Sequence, residues 1–152
     1  MKIYYLEDDW RYATQIRTQL ERLSQARGLR WNLERIATEK AFIELLDELA
    51  AGRKPRPDCF ILDVMVRYAD TSPDASENQE EGQDSPNYDR AGLRCASLLR
   101  RTYPTVPVIL FTILDSEDIE ADLEDAGLRD VRYVPKSDRI TPLFEQLVSV
   151  LK

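Results

Sequence analysis

Five short segments of strand character alternate with stretches of helical spacing along this chain: Lys2 to Leu6, Trp31 to Ile36 with residual alternation, Cys59 to Leu62, Val106 to Phe111 and Val131 to Val134. Each is too short for a helix and rich in β-branched or aromatic side chains, so each reads as a strand. Cys59 to Leu62 is apolar without interruption, the pattern of a strand covered on both faces. Parallel strands need crossover connections, and helical crossovers cover the sheet. The alternation therefore predicts a three-layer, doubly wound α/β fold around a five-stranded parallel sheet. Open sheets of this kind carry their sites beyond the carboxyl ends of the strands.

The helices between the strands can be read from their apolar positions. Ala13, Ile16, Leu20 and Leu23 define the first, which should stop near Gly28. Thr38 fits the N-cap of a second that buries Phe42, Leu45, Leu46 and Leu49, closed by Gly52 and the Pro-containing stretch to Pro57. A third should run from Ala91 to Arg101. Asp115 or Ser116 caps a fourth carrying Ile119, Leu123 and Ala126 before Gly127, and Thr141 with Pro142 opens a fifth that buries Leu143, Phe144, Leu147 and Leu151. Residues 69–88 break the pattern: they are rich in Ser, Asp, Glu, Asn, Gln and Pro and nearly free of large aliphatics, and should form a long mobile loop. Residues 1–152 then read as one domain with this acidic insert inside it.

The formal charge of −7 is unevenly placed. Six acids and no Lys or Arg fall within residues 69–88, and Asp115 to Asp125 holds seven acids and no base. Neither block suits direct nucleic-acid binding, and DNA recognition would need a further domain, since the chain stops soon after the fifth helix. The absence of histidine excludes a Ser-His-Asp triad, a His-ligated zinc site and histidine general-base chemistry. Any phosphohistidine must come from another protein. Cys59 and Cys95 lack C-x-x-C spacing and lie in apolar surroundings, as buried thiols do. Neither a P-loop nor a G-x-G-x-x-G fingerprint occurs. No apolar run reaches the roughly 18 residues of a membrane span, and the N-terminus opens on a strand instead of a signal peptide, so a cytoplasmic location without membrane contact is expected.

The strand ends supply Glu7, Asp8, Asp63, Thr112 and Lys136. Glu7, Asp8 and Asp9 would also suit a helix N-terminus. Three carboxylates in one crevice repel one another unless a cation is shared or a proton retained. Hard oxygen ligands with room for water suit Mg²⁺. A carboxylate beside such an ion can attack a phosphoryl group, with Lys136 and Thr112 supplying positive charge and a hydroxyl donor.

Leu6-Glu7-Asp8-Asp9 after a first strand, Ile61-Leu62-Asp63 at a third, Phe111-Thr112 at a fourth and Tyr133-Val134-Pro135-Lys136 at a fifth resemble the signature of response-regulator receiver domains. The resemblance spans the chain apart from the acidic insert. It implies a flavodoxin-like receiver fold of strand order 2-1-3-4-5 and a phosphoprotein switch of two-component signal transduction. Asp63 would be the phosphoacceptor, and Glu7 and Asp8 would hold Mg²⁺ together with Asp63 and the Met65 backbone carbonyl. Thr112 would bond the phosphoryl oxygen, Lys136 would pair with it, and Tyr133 would be the aromatic switch that follows Thr112. The implied partners are a sensor histidine kinase or histidine phosphotransfer protein of a phosphorelay, and a downstream protein bound through the fourth helix, fifth strand and fifth helix. The resemblance also admits a homodimer.

Four features depart from the family pattern. Ser137 replaces the usual proline after the lysine, Ile113 replaces a small residue and could crowd the entrance to the site, and Arg67 stands where proline is common. The connection to Gly92 is longer than usual by about twenty residues. These departures keep open a degenerate receiver that binds proteins without phosphorylation. An aspartate-nucleophile phosphatase of the haloacid-dehalogenase type resembles the Asp63 strand end, but Met65 stands where its second aspartate belongs. Turnover beyond self-phosphorylation and self-dephosphorylation is not expected.

Overall fold

Side chains alternate across a strand, so the apolar residues of a doubly covered strand divide into two cores. Tyr4 and Leu6 belong to one here, and Ile3 and Tyr5 to the other. The computed structural model describes residues 1–69 and 88–152. In chain order the elements are β1 (Lys2–Leu6), α1 (Trp10–Ala26), β2 (Asn32–Ile36), α2 (Glu39–Ala50), β3 (Cys59–Leu62), α3 (Ala91–Thr102), β4 (Val108–Thr112), α4 (Ser116–Asp125), β5 (Arg132–Pro135) and α5 (Thr141–Val150). A short 3-10 turn, Tyr88–Arg90, leads into α3.

The five strands form one parallel sheet of order β2-β1-β3-β4-β5, the flavodoxin-like arrangement. One face packs Ile3, Tyr5, Ile61, Ile109 and Phe111 against Ile16 and Leu20 of α1 and Leu143, Phe144 and Leu147 of α5. The other packs Tyr4, Leu6, Phe60, Leu62 and Leu110 against α2, α3 and α4 through Phe42, Leu99 and Ile119. The register Leu6↔Leu62, Leu62↔Leu110 and Thr112↔Pro135 brings the carboxyl ends of β1, β3, β4 and β5 to one rim. Glu7, Asp8, Asp63 and Lys136 follow directly on those ends.

Some boundaries differ from the sequence reading. β4 begins at Val108 because Pro107 lacks an N–H and Val106 turns back to donate to the Tyr103 carbonyl at 3.3 Å. The fifth strand sits one residue later than expected. Ala126 is the exposed C-cap of α4, Gly127 adopts φ 70, and Leu128 fills the core in place of Ala126. Leu23 and Leu151 are half-buried, Leu151 lying just past α5. Asp115 is the N-cap of α4 by position but makes no side-chain capping bond. The expected loop over 69–88 lies outside the described residues except for Ala69 and Tyr88.

Cys59 and Cys95 are buried free thiols; burial pushes the first up to about 12 and the second higher still. Among the described residues no helix is long and apolar enough to cross a membrane.

Thr38 caps α2 through its hydroxyl, which accepts from the Ala41 N–H at 3.1 Å, and it is buried. Thr38→Ala should lower stability by about 1 kcal/mol in urea unfolding. An unchanged midpoint would show that the cap is dispensable.

Candidate functional site

At the rim, the end of β5 delivers Lys136 beside the ends of β1 and β3. The Lys136 Nζ donates to Glu7 Oε2 and to Asp63 Oδ2, both at 2.6 Å. The register is fixed nearby by the Lys136 N–H, which donates to the Thr112 carbonyl at 2.8 Å, and by the Asp63 N–H, which donates to the Leu6 carbonyl at 3.0 Å. Glu7 and Asp63 are 2% and 5% exposed. Two carboxylates this deeply placed require a common counter-charge. The lysine ammonium is that charge. Burial opposes its protonation, yet Asp63 and Glu7 outweigh burial and hold Lys136 above the usual lysine range. Burial likewise pushes the Glu7 carboxyl above its usual range, against the pull of Lys136.

Both oxygens of Glu7 are engaged. Oε1 accepts the Asp9 N–H at 3.0 Å, and Oε2 accepts the buried Tyr5 hydroxyl at 3.1 Å beside Lys136. The Tyr12 ring lies under the ammonium, with Nζ 4.7 Å from its centroid. Asp9 takes the role of helix cap, accepting from the N–H groups of Arg11 at 2.9 Å and Tyr12 at 3.2 Å. The bond from Tyr12 first, then that from Arg11, holds its carboxyl below the usual range. The three consecutive acids thus have different duties: Asp9 starts α1, Glu7 anchors Lys136, and Asp8 stays at the mouth.

Asp8 is held from the segment after β3. Its Oδ2 accepts the Arg67 N–H at 3.1 Å and lies 3.4 Å from Arg67 Nε. Arg35, at the end of β2, donates to the Glu7 carbonyl at 2.8 Å and the Asp8 carbonyl at 2.7 Å. Asp63 Oδ1 accepts only the Met65 N–H, at 3.3 Å, among the described residues. Thr112 is fully buried and its Oγ1 accepts the Leu114 N–H at 3.5 Å. The half-buried Tyr133 donates its hydroxyl to the Leu114 carbonyl at 2.7 Å. Thr112 and Tyr133 therefore meet on the backbone of one residue.

A cavity of about 360 Å³ opens beside Lys136, lined by Glu7, Asp9, Tyr12, Ile113, Ser137 and Asp138. Ile113 is 70% exposed at its edge. A larger groove of about 630 Å³ runs between α2, α3 and α4 and holds no member of the acid–lysine cluster.

Among the described residues no three Asp, Glu, His or Cys side chains gather closely enough to hold one metal ion by themselves. The donor set nevertheless fits a hard cation that keeps water: Mg²⁺ commonly takes only one or two carboxylates. Asp8 and Asp63, at the ends of the neighbouring strands β1 and β3, are carboxylates of that kind.

Sequence reasoning missed Tyr5, Arg35, Leu114 and Gly92 as supports of this site. Tyr5 had a usable signal, because residues two apart share a strand face and Tyr5 stands two before Glu7. Gly92 lies in the first turn of α3, and its N–H donates to the Val64 carbonyl at 2.9 Å. Nothing local marks it as a contact of Asp63.

No protein-family model matches the sequence, and no curated protein sequence does. Solved structures do match. The receiver domain of the Francisella response regulator 1452 aligns with a TM-score of 0.65 at 19% identity, covering 99% of this chain and 95% of that one. The BeF₃-activated DrrB receiver domain gives 0.65 at 19% identity, with 99% and 96% covered. The Mn²⁺-bound form of response regulator Rcp1 gives 0.62 at 16% identity, with 98% and 90% covered. The chain shares the receiver fold over essentially its whole length.

Proposed function

We propose that this chain is a receiver domain, residues 1–152 with the 69–88 insert inside it, that accepts a phosphoryl group on Asp63. The observation that carries the reading is Lys136 Nζ shared between Asp63 and Glu7 at 2.6 Å, on the rim where the receiver fold places its strand ends.

In the reaction, a lone pair of the Asp63 carboxylate attacks the phosphorus of a phosphohistidine or a small phosphoramidate. The new O–P bond forms as the donor P–N bond breaks, and the nitrogen keeps that electron pair and takes a proton from solvent. Lys136 is already on Asp63 and can follow the developing negative charge, while Thr112 can turn its hydroxyl from Leu114 toward a phosphoryl oxygen. Of the expected metal set, Asp8, Asp63 and the Met65 carbonyl would hold Mg²⁺ directly, and Glu7, whose two oxygens are taken by Asp9, Tyr5 and Lys136, would act from behind them. Bound there, the ion would supply charge neutralisation for the equatorial phosphoryl oxygens. If Thr112 moves, Leu114 changes its hydrogen bonding and Tyr133 loses a fixed anchor, which links the site to β5 and to the segment that leads into α4. The surface of α4, β5 and α5 is the proposed contact for a downstream protein or a second copy. A sensor histidine kinase or histidine phosphotransfer protein is the proposed donor, and the cytoplasm the proposed location.

Incubation with phosphoramidate and Mg²⁺, followed by intact-mass measurement, should add one phosphoryl group to the chain and none to Asp63→Asn. An unchanged mass in the native chain, or the same gain in the variant, would overturn the reading. The alternative, a receiver that signals by binding alone, is favoured by Arg67 lying on Asp8. It predicts a folded chain that never gains the phosphoryl group.

A further inference from the structure

Of Glu7, Asp8 and Asp63, Asp8 has the most exposed side chain, and it already has a cation. Its Oδ2 lies 3.4 Å from Arg67 Nε and accepts the Arg67 N–H at 3.1 Å, while the Arg67 Nη2 reaches the Asp8 carbonyl at 3.4 Å. Lys136 and Arg35, the neighbouring cations among the described residues, are committed elsewhere, Lys136 to Glu7 and Asp63, and Arg35 to the backbone carbonyls of Glu7 and Asp8. Glu7 and Asp63 thus share Lys136, and Asp8 has Arg67 on its carboxylate and Arg35 on its carbonyl. An acid pocket without such internal partners would gain most from a divalent ion; this one is partly neutralised before the ion arrives.

Arg67 differs from Lys136 in one respect that matters. Its side chain is 45% exposed, against 10% for Lys136, so it can move into solvent without leaving a buried charge behind. Its backbone is the fixed part: the Arg67 carbonyl accepts the Glu39 N–H at 2.9 Å and the next carbonyl, of Tyr68, accepts the Lys40 N–H at 2.8 Å, pinning the segment to the first turn of α2. The guanidinium can therefore leave Asp8 while the main-chain bond to Oδ2 stays.

We infer that the Arg67 guanidinium is a built-in competitor of the divalent cation, holding Asp8 in the resting chain and releasing it when the ion binds. The inference rests on the metal-assisted reading above and adds to it a residue that sets how much metal the switch needs.

Titration of the full chain with Mn²⁺, followed by the electron paramagnetic resonance signal of the free ion, tests this without reference to phosphorylation. Arg67→Gln should bind Mn²⁺ about fivefold to tenfold more tightly than the native chain, the combined effect of a lost partner for Asp8 and a lost repulsion of the ion. Arg67→Lys, which keeps the charge, should stay within about threefold of native. Adding Asp8→Asn to the native chain and to Arg67→Gln should shrink the difference between them to about twofold or less, because the competition acts through that carboxylate and only the repulsion of the ion by Arg67 remains. Equal or weaker binding by a folded Arg67→Gln chain overturns the inference and leaves the phosphorylation result untouched. No binding by either chain overturns both this inference and the metal part of the proposed function.

Discussion

Lys136→Met is expected to lower folding stability by about 3–5 kcal/mol at neutral pH and to slow phosphorylation about 10²- to 10³-fold. Methionine keeps the length and apolar stem of lysine but removes the ammonium that Glu7 and Asp63 share at 2.6 Å. With those carboxylates 2% and 5% exposed, water cannot replace the lost cation, and the two acids are left facing each other. The rate loss has a separate origin: positive charge is missing where the transferred phosphoryl group develops negative charge. An asparagine at position 63 would remove the acceptor but also one of the two repelling acids, so Lys136→Met should be the less stable variant.

The pH dependence gives this prediction a sign. Glu7 is already raised above its usual 4.5 by burial, with Lys136 pulling the other way. Removing Lys136 raises it further. A carboxyl raised on folding favours the folded state at low pH, where it is protonated, and that contribution is lost as pH rises through the folded value. Lys136 itself is raised above 10.5, so in the native chain its contribution is complete below that pH and fades only in strong alkali. The stability gap between native and Lys136→Met should therefore be smaller at pH 5 than at pH 8 in urea unfolding. A gap that narrows as pH rises would mean that Glu7 and Asp63 do not depend on this lysine.

The limits of sequence reading follow from the same residues. β1 and β3 could be placed to the residue because a strand buried on both faces has no polar interruptions, and Asp63 ends such a run. The parallel sheet then dictated that Glu7, Asp8, Asp63, Thr112 and Lys136 share a rim. β5 slipped by one because it is an edge strand, with Arg132 exposed, and its pattern is weaker. What no local pattern carries is who pairs with whom across the rim. Glu7 and Lys136 are 129 residues apart, and their contact depends on how the crossovers between β1 and β5 order the strands. Arg67 stood out only as a replacement for a common proline, and Arg35 not at all, until the segment after β3 and β2 brought them to Asp8. The expected need for a shared cation was legible; that a lysine meets it for Glu7 and Asp63 was not.

Gly92 separates local propensity from tertiary fit most sharply. Alanine is the better helix former by about 1 kcal/mol, and Gly92 stands inside α3 with no positive φ to excuse it, so a purely local argument predicts that Gly92→Ala stabilises the chain. The structure reverses that sign. A Cβ built on Gly92 would stand 2.1 Å from the Asp63 carbonyl oxygen and 2.7 Å from Val64 Cα. Both atoms are main chain, in a segment held by the Gly92 N–H on the Val64 carbonyl and the Asp63 N–H on the Leu6 carbonyl, so neither can yield by rotating a side chain. Overpacking against a fixed backbone costs roughly 1–3 kcal/mol and occasionally more, and 2.1 Å is far inside contact distance. A loss of about 3 kcal/mol or more is expected in urea unfolding. Any relief must come from sliding α3 away from β3 or from tilting the peptide after Asp63, and the second route swings the Asp63 carboxylate off Lys136. Phosphorylation of the remaining folded protein should therefore fall as well. A Gly92→Ala chain as stable as the native one and phosphorylated at the native rate would show that α3 does not press on the phosphoacceptor as the structure places it.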